Sequence, residues 1–280
     1  MTHTRIAYLP MPTYPEPVED AAISAAIGFA GALNCALDVT AFSVDLPRLS
    51  SGLGDWLIDV PGIVATAEKN SQAECQRLQE LVEAATNAAG VRLHFATRNI
   101  ILGGALEASA IEARSYDLAL VPWSTKTEAV QDLAEALVFG SGRPTVLVPP
   151  GTKAAPLTHV AVAWDGSHVA ARALWDVLPL LAEGGRISVL TAVDDKPTAG
   201  RDLAGALTAR LERHGIKAAA VDVVLGGQTI GDALQRAALA SGAGLMAMGG
   251  YGHSRLRDFI LGGATKGVID KLQLPVLLSH

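Results

Sequence analysis

Cysteine is nearly missing from this 280-residue sequence, in which Cys35 and Cys75 stand alone. Two thiols build neither a disulfide framework nor a four-ligand zinc site, and their apolar, helical-looking contexts predict buried, inert side chains. Positive charge is scarce as well. Lys and Arg number 22 against 28 Asp and Glu, for a net charge of −6 and a pI near 5.6. Nucleic acid or an anionic membrane surface as main partner would call for a basic footprint that is not there. No uninterrupted apolar run is long enough to span a bilayer. The opening "MTHTRIAYLP" has no basic start followed by an apolar stretch, as a secretory signal would. The expectation is a soluble, cytoplasmic protein with neither nucleic acid nor membrane as partner. Gly-Lys-Ser/Thr and G-x-G-x-x-G are also missing, which removes the main support for a conventional kinase, P-loop NTPase or dehydrogenase. A small anionic ligand needs only a local site and stays open.

What is present is apolar residue in quantity, 50% of the chain, with a mean hydropathy of +0.31 raised by alanine-rich helices. Short β-branched runs alternate with Ala- and Leu-rich stretches of helical period, the pattern of βαβ units in a doubly wound parallel sheet. Five strands are expected in the second half, at 159–164, 186–193, 218–225, 244–249 and 274–279, with helices near 167–182, 200–214, 230–241 and 264–272. The first half repeats the order with strands at 5–10, 37–44, 92–101, 116–123 and 143–149. "ILGG" (101–104) answers "VLGG" (224–227), and "RPTVLV" (143–148) answers "LPVLL" (274–278), so an internal duplication is expected. The boundary falls in "PPGTKAAPLT" (149–158), giving domains 1–150 and 151–280. Only the first half carries extra material between its second and third strands, loop at the front and then the start of a long helix. Trp56 and Ile58 there could cap a pocket or simply pack.

The most informative stretch is "MGGYGHSRLRDFILGGAT", Met248 to Thr265, with five glycines. Glycine loses more conformational entropy on ordering than any other residue, so such a cluster marks special backbone angles or close approach of a ligand. Gly249, Gly250 and Gly252 follow a strand at its carboxyl end, and Gly262 and Gly263 precede the last helix. A turn without side chains, followed by the free N–H groups of a helix, is a phosphate cradle. A tight turn and a helix cap are the competing structural reading.

The spacing G-x2-G-x9-G, from Gly249 through Gly252 to Gly262, resembles the nucleotide loop of the universal stress protein superfamily. "MGGYGHSRLRDFILGGATKGVIDKLQLPVLLSH" reproduces that family's strand, loop, helix and final strand, and "VAVAWDGSHVAARAL" is similar to its opening strand, Asp-Gly-Ser turn and first helix. The resemblance covers 158–280 well and the first half in outline. It implies two tandem Rossmann-like, doubly wound five-stranded domains of the adenine nucleotide α-hydrolase type. It also implies ATP or a related adenine nucleotide as ligand. Asp165 would meet the adenosine portion and the backbone at Ala192 and Val193 the base edge. Met248 and Gly249 would line the pocket, with Gly252, Gly262, Gly263, Ala264 and Thr265 around the phosphates. His253, Ser254 and Arg255 are further phosphate candidates, together with Arg257, although a solvated face is the ordinary role of such side chains. For Asp165 the ordinary role is a helix N-cap. One departure stands out: Gly263 occupies the position of the family's phosphate-binding Ser or Thr, while Thr265 matches another hydroxyl of the motif.

In the first half, Pro122, Trp123 and Ser124 replace the loop's first glycines, the Asp-Gly-Ser turn is missing, and "FGSG" (139–142) reads as a C-terminal helix cap. That half is expected to have lost nucleotide binding. The final strands "PTVLV" and "PVLLS" are expected to pair antiparallel within the chain, as single domains of the family do between subunits; a further homodimer of the whole chain is open. No catalytic constellation emerges, since Ser254, His253 and Asp258 are neighbours in sequence only. Asp194 and Asp195 could hold Mg²⁺ near phosphates or form a solvated pair. The expectation is a nucleotide-binding regulator with an unidentified protein partner and at most slow ATP hydrolysis. The alternatives are a nucleotide-independent dimerisation scaffold and an enzyme of the α-hydrolase type.

Overall fold

The computed structural model describes residues 4–47, 60–124, 127–193, 202–250 and 263–280. The first half runs β1 (Ile6–Pro12), α1 (Asp20–Ala32), β2 (Ala36–Asp45), α2 (Val60–Ala89), β3 (Leu93–Ile101), α3 (Gly104–Ala113), β4 (Leu118–Pro122), α4 (Glu128–Gly140) and β5 (Thr145–Val148). The second half repeats it with β6 (His159–Ala163), α5 (His168–Val177), β7 (Arg186–Val193), α6 (Leu203–Arg213), β8 (Lys217–Val224), α7 (Ile230–Ser241), β9 (Leu245–Gly249), α8 (Gly263–Asp270) and β10 (Val276–Ser279). A one-turn 3₁₀ helix, Leu178–Leu180, extends α5.

All ten strands join one sheet in the order β3-β2-β1-β4-β5-β10-β9-β6-β7-β8. Every neighbour pair is parallel except β5 and β10, which pair antiparallel with Val276 opposite Leu147 and Leu278 opposite Thr145. The terminal strands therefore do meet inside the chain. Each would otherwise be the unpaired, apolar edge of its own five-stranded sheet, a liability that their pairing removes. Both are buried throughout. Strands near the centre, such as "LALVP" in β4, are covered on both faces and read as continuous apolar runs, as parallel strands between helical layers do. The outer strands β3 and β8 are largely exposed.

Each expected strand overlaps an observed one. β1 runs on past its expected end at Pro10 to Pro12, and its ladder to β4 stops at Tyr8, before Pro10, which has no N–H to give. The long helix after the first-half insertion is α2; Trp56 and Ile58 lie outside the described residues. Two local expectations need correction. Cys35 lies just ahead of β2 rather than in a helix, because α1 ends at Ala32 and Asn34 adopts φ 55°. α4 continues through Gly140, so only Gly142, at φ 66°, has the backbone of a glycine stop. Both cysteines are buried, and burial pushes the Cys35 thiol up to about 11 and Cys75 in the same direction.

Candidate functional site

In each half the chain winds outward on one side of its first strand and then returns on the other. The switch points therefore lie between β1 and β4 and between β6 and β9, and crevices at the carboxyl ends of such strands are where open α/β sheets bind ligands. Because β5 and β10 are antiparallel, the two carboxyl edges lie at opposite ends of the shared sheet.

At the second-half edge, Asp165 follows β6 and is exposed. Its Oδ1 accepts from the Ser167 N–H at 2.8 Å, closing a turn over Gly166, whose φ of 78° suits glycine. Ser167 itself caps α5 by accepting from the Ala170 N–H at 3.2 Å. The cap role weighed for Asp165 thus falls to its neighbour, and Asp165 keeps a second carboxylate oxygen for other partners. Ala192 and Val193 end β7 half-buried. Thr191 and Trp164 tie the ends of β7 and β6 together, with the Trp164 N–H donating to Leu190 O at 2.8 Å and the Thr191 hydroxyl to Trp164 O at 3.3 Å. The Trp164 indole N–H is buried without a partner among the described residues.

Met248 and Gly249 end β9 opposite Leu278 and Ser279. The structure gives Gly249 a packing reason of its own. A Cβ there would stand 2.5 Å from Val169 Cγ2 and 2.9 Å from the Ala170 nitrogen, so glycine is what lets the start of α5 press onto β9. Gly250 donates its N–H to Ser279 O at 2.8 Å, and a Cβ on it would lie 2.9 Å from Val138 of α4.

Helix α8 begins with Gly263, Ala264 and Thr265. Its first N–H groups have no carbonyl within the helix to bond, and the helix dipole favours an anion there. Its position is fixed at both ends. Gly231 of α7 meets α8 so closely that a Cβ would lie 2.5 Å from the Val268 nitrogen. The buried Gln235 side chain donates to Lys271 O at 3.1 Å and accepts from the Gln273 N–H at 2.8 Å. The Thr265 hydroxyl is buried and reaches Gly249 O only at 3.5 Å, a weak bond. Neither Gly231 nor Gln235 was singled out in the sequence, where they read as ordinary helix positions. Gly252, His253, Ser254, Arg255, Arg257, Asp258 and Gly262, as well as Asp194 and Asp195, lie outside the described residues.

The first-half edge is built differently. Matching the ladders by register puts Pro122 where Gly249 stands, Trp123 at Gly250 and Pro12 at Asp165. Here α2 supplies polar groups to the strand ends. Ser71 Oγ donates to Thr13 Oγ1 at 2.6 Å, Thr13 donates to Phe42 O at 2.8 Å, and Ser71 accepts from the Val44 N–H at 2.9 Å. Glu68 accepts from the Leu46 N–H at 2.9 Å. Ser71 and Thr13 are both buried, so the chain itself uses the polar groups of this crevice.

Among the described residues, no cluster of three or more His, Cys, Asp or Glu is placed to hold a metal ion, and no helix is long and apolar enough to cross a membrane. A doubly wound sheet with a carboxylate and a helix N-terminus at one switch point is the architecture of the open α/β fold class. Residues 156–280 match the model of the Universal stress protein family. The fold of the whole chain is similar to that of a universal stress protein from Archaeoglobus fulgidus DSM 4304, with TM-score 0.66, 16% identity, and coverage of 97% of this chain and 95% of that one. It is similar too to a functionally unknown protein from Pseudomonas aeruginosa PAO1, with TM-score 0.50, 15% identity and coverage of 97% and 92%. A universal stress protein in complex with cAMP aligns at TM-score 0.34 and 22% identity, over 45% of this chain and 99% of that one. A comparison with curated proteins gives no match.

Proposed function

We propose that residues 151–280 form a domain that binds ATP or a related adenine nucleotide, that residues 1–150 form a partner domain without that activity, and that nucleotide occupancy regulates a stress-response partner. The observation that carries this is the convergence at the β6/β9 switch point of Asp165, with an oxygen to spare, and the N-terminal turn of α8. A carboxylate accepts from ribose hydroxyls, and the first amides of a helix donate to phosphate. The residues present fit such a ligand: the Trp164 indole N–H is orphaned beside Asp165, and Thr265 is only weakly engaged. Gly263 offers a backbone N–H where the family supplies a hydroxyl as well. The loss of one charge-assisted hydrogen bond, about 1.5–3 kcal/mol, weakens affinity about tenfold or more without abolishing the site. The reading is a regulatory switch with slow or no hydrolysis. Mg²⁺ would accompany the phosphates as a counter-ion.

The test is calorimetric titration of nucleotide-stripped protein with Mg-ATP. One saturable site per chain is expected, weakened by Asp165→Ala and lost in Gly252→Val, with Thr13→Val in the first half leaving the binding unchanged. Absence of saturable heat at millimolar ATP sinks the reading. It would leave the second one, a nucleotide-independent scaffold, which Gly263 and the internally paired β5 and β10 favour.

A further inference from the structure

A cleft with about 90 Å³ of cavity volume lies between α4 of the first half and α8 of the second, with Leu278 of β10 among its lining. Its walls are mostly apolar and include Trp123, Phe139 and Ile269; its charged groups are Glu135, Lys266 and Asp270. Three properties define what it can hold. It belongs to neither half alone, because α4 comes from the first half and α8 from the second. Among the described residues its lining carries two carboxylates against the exposed Lys266 ammonium, with Asp132 one turn before Glu135 adding a third carboxylate nearby. Glu135 is half-buried and has no hydrogen bond or ion pair among the described residues. Burial and the charge of Asp132 raise its carboxyl above the ordinary range.

We infer that this cleft is a binding site for a small organic amine with an apolar body. Such a ligand places its ammonium on the unpaired Glu135 carboxylate and its hydrocarbon or ring against Phe139, Trp123 and Ile269. The ammonium satisfies a carboxylate that the fold leaves half-desolvated and unpaired, which is where a charged partner gains most. Aromatic walls attract a cation through their ring faces and bury the apolar part. Among the described lining residues an anionic ligand of the same shape finds Lys266 as a cation and meets the Glu135 and Asp270 carboxylates. The site is separate from the proposed nucleotide crevice, although Gly250 and Thr265 border both.

The experiment is calorimetric titration of the full chain with phenethylamine and, as the isosteric anion, 3-phenylpropionate. Saturable binding of the amine and none of the acid is expected. Glu135→Gln should weaken the amine about tenfold, as removal of one charge-assisted contact does, and Lys266→Met, which removes the opposing charge, should strengthen it. Because the two substitutions act in opposite directions, a general loss of folding cannot mimic the result. Equal binding of amine and acid, amine binding indifferent to both substitutions, or no saturation in the millimolar range overturns the assignment. Mg-ATP titration of the same variants separates this outcome from failure of the nucleotide reading, since both variants leave the proposed phosphate contacts in place.

Discussion

The two carboxyl edges of this protein share a topology and differ in what fills them. At β6 and β9 the turn residues are Asp165, Gly166 and Ser167, the strand ends in Gly249, and the helix beyond starts with small residues. At β1 and β4 the matching positions hold Pro12, Pro122 and Trp123, and the long helix α2 delivers Ser71 and Glu68 onto the strand ends. A switch point is a place where backbone donors and acceptors at strand ends need partners. One half takes those partners from its own helix, and in the other a carboxylate oxygen and a helix N-terminus have no partner among the described residues. The same topology thus carries two differently furnished crevices, and among the described residues the side-chain hydrogen bonds at the strand ends tell the two apart. Capping shows the same contrast. α5, α6 and α7 carry side-chain caps from Ser167, Asp202 and Thr229, whereas α1, α3 and α4 have none.

The comparison is broken most severely where the halves are joined. Leu277→Ala removes a fully buried side chain opposite Val146 and should cost about 2–5 kcal/mol, read as a lower urea midpoint in a single transition shared by both halves. Two separate transitions would show that the halves fold independently of the seam. Gly249→Val forces apart β9 and the start of α5 and should destabilise by about 1–3 kcal/mol while impairing ATP binding. A fully stable variant would mean that α5 does not rest on β9 as described. Ser71→Ala sharpens the contrast from the other side. It leaves the buried Val44 N–H without its acceptor, at about 1–3 kcal/mol, and should not alter the ATP titration. An effect on nucleotide affinity would place the ligand in the first half instead. Ser167→Ala removes one cap and should lower stability by about 1 kcal/mol, measured by thermal melting.

A smaller, pH-dependent difference comes from the first half. Burial, then the Asp38 carboxylate, raises the Tyr116 phenol to about 12, and Tyr8, stacked on it at 4.8 Å, is shifted in the same direction. An unfolded phenol ionises near pH 10. The folded state therefore binds more protons between pH 10 and 12, so stability is fully present below that window and falls as pH rises through it. Tyr116→Phe should flatten the alkaline end of the stability profile. An unchanged slope would assign the loss to other groups.

Much of this was readable in the residues. The ten strands and the long α2 followed from periodicity, and the pairing of "PTVLV" with "PVLLS" from the family resemblance. Those signals are local: a strand buried on both faces must be apolar throughout, and a lost glycine is visible as proline or tryptophan. The cap exchange between Asp165 and Ser167 was half legible, because both residue types cap helices and only the backbone path chooses between them.

Gly249 shows the limit. Its sequence context points to a ligand, while its Cβ direction points at Val169, and close packing and close ligand approach select the same residue. Gly231 and Gln235, which fix α8, sit in α7 without any periodic or motif signal, since their partners lie more than thirty residues away. Nor could the sequence show the Thr13–Ser71 link or the α4–α8 cleft, which join segments distant in the chain. Composition and period by themselves determined the element order, because it depends on which side chains each short stretch can bury, and the glycine loop with the Asp-Gly-Ser turn carried the family resemblance of the second half. The packing of α2 onto the ends of β1 and β2 decided which crevice the protein fills with its own side chains, and the β5–β10 seam decided that α4 and α8 flank one cleft, because both join segments remote in the chain.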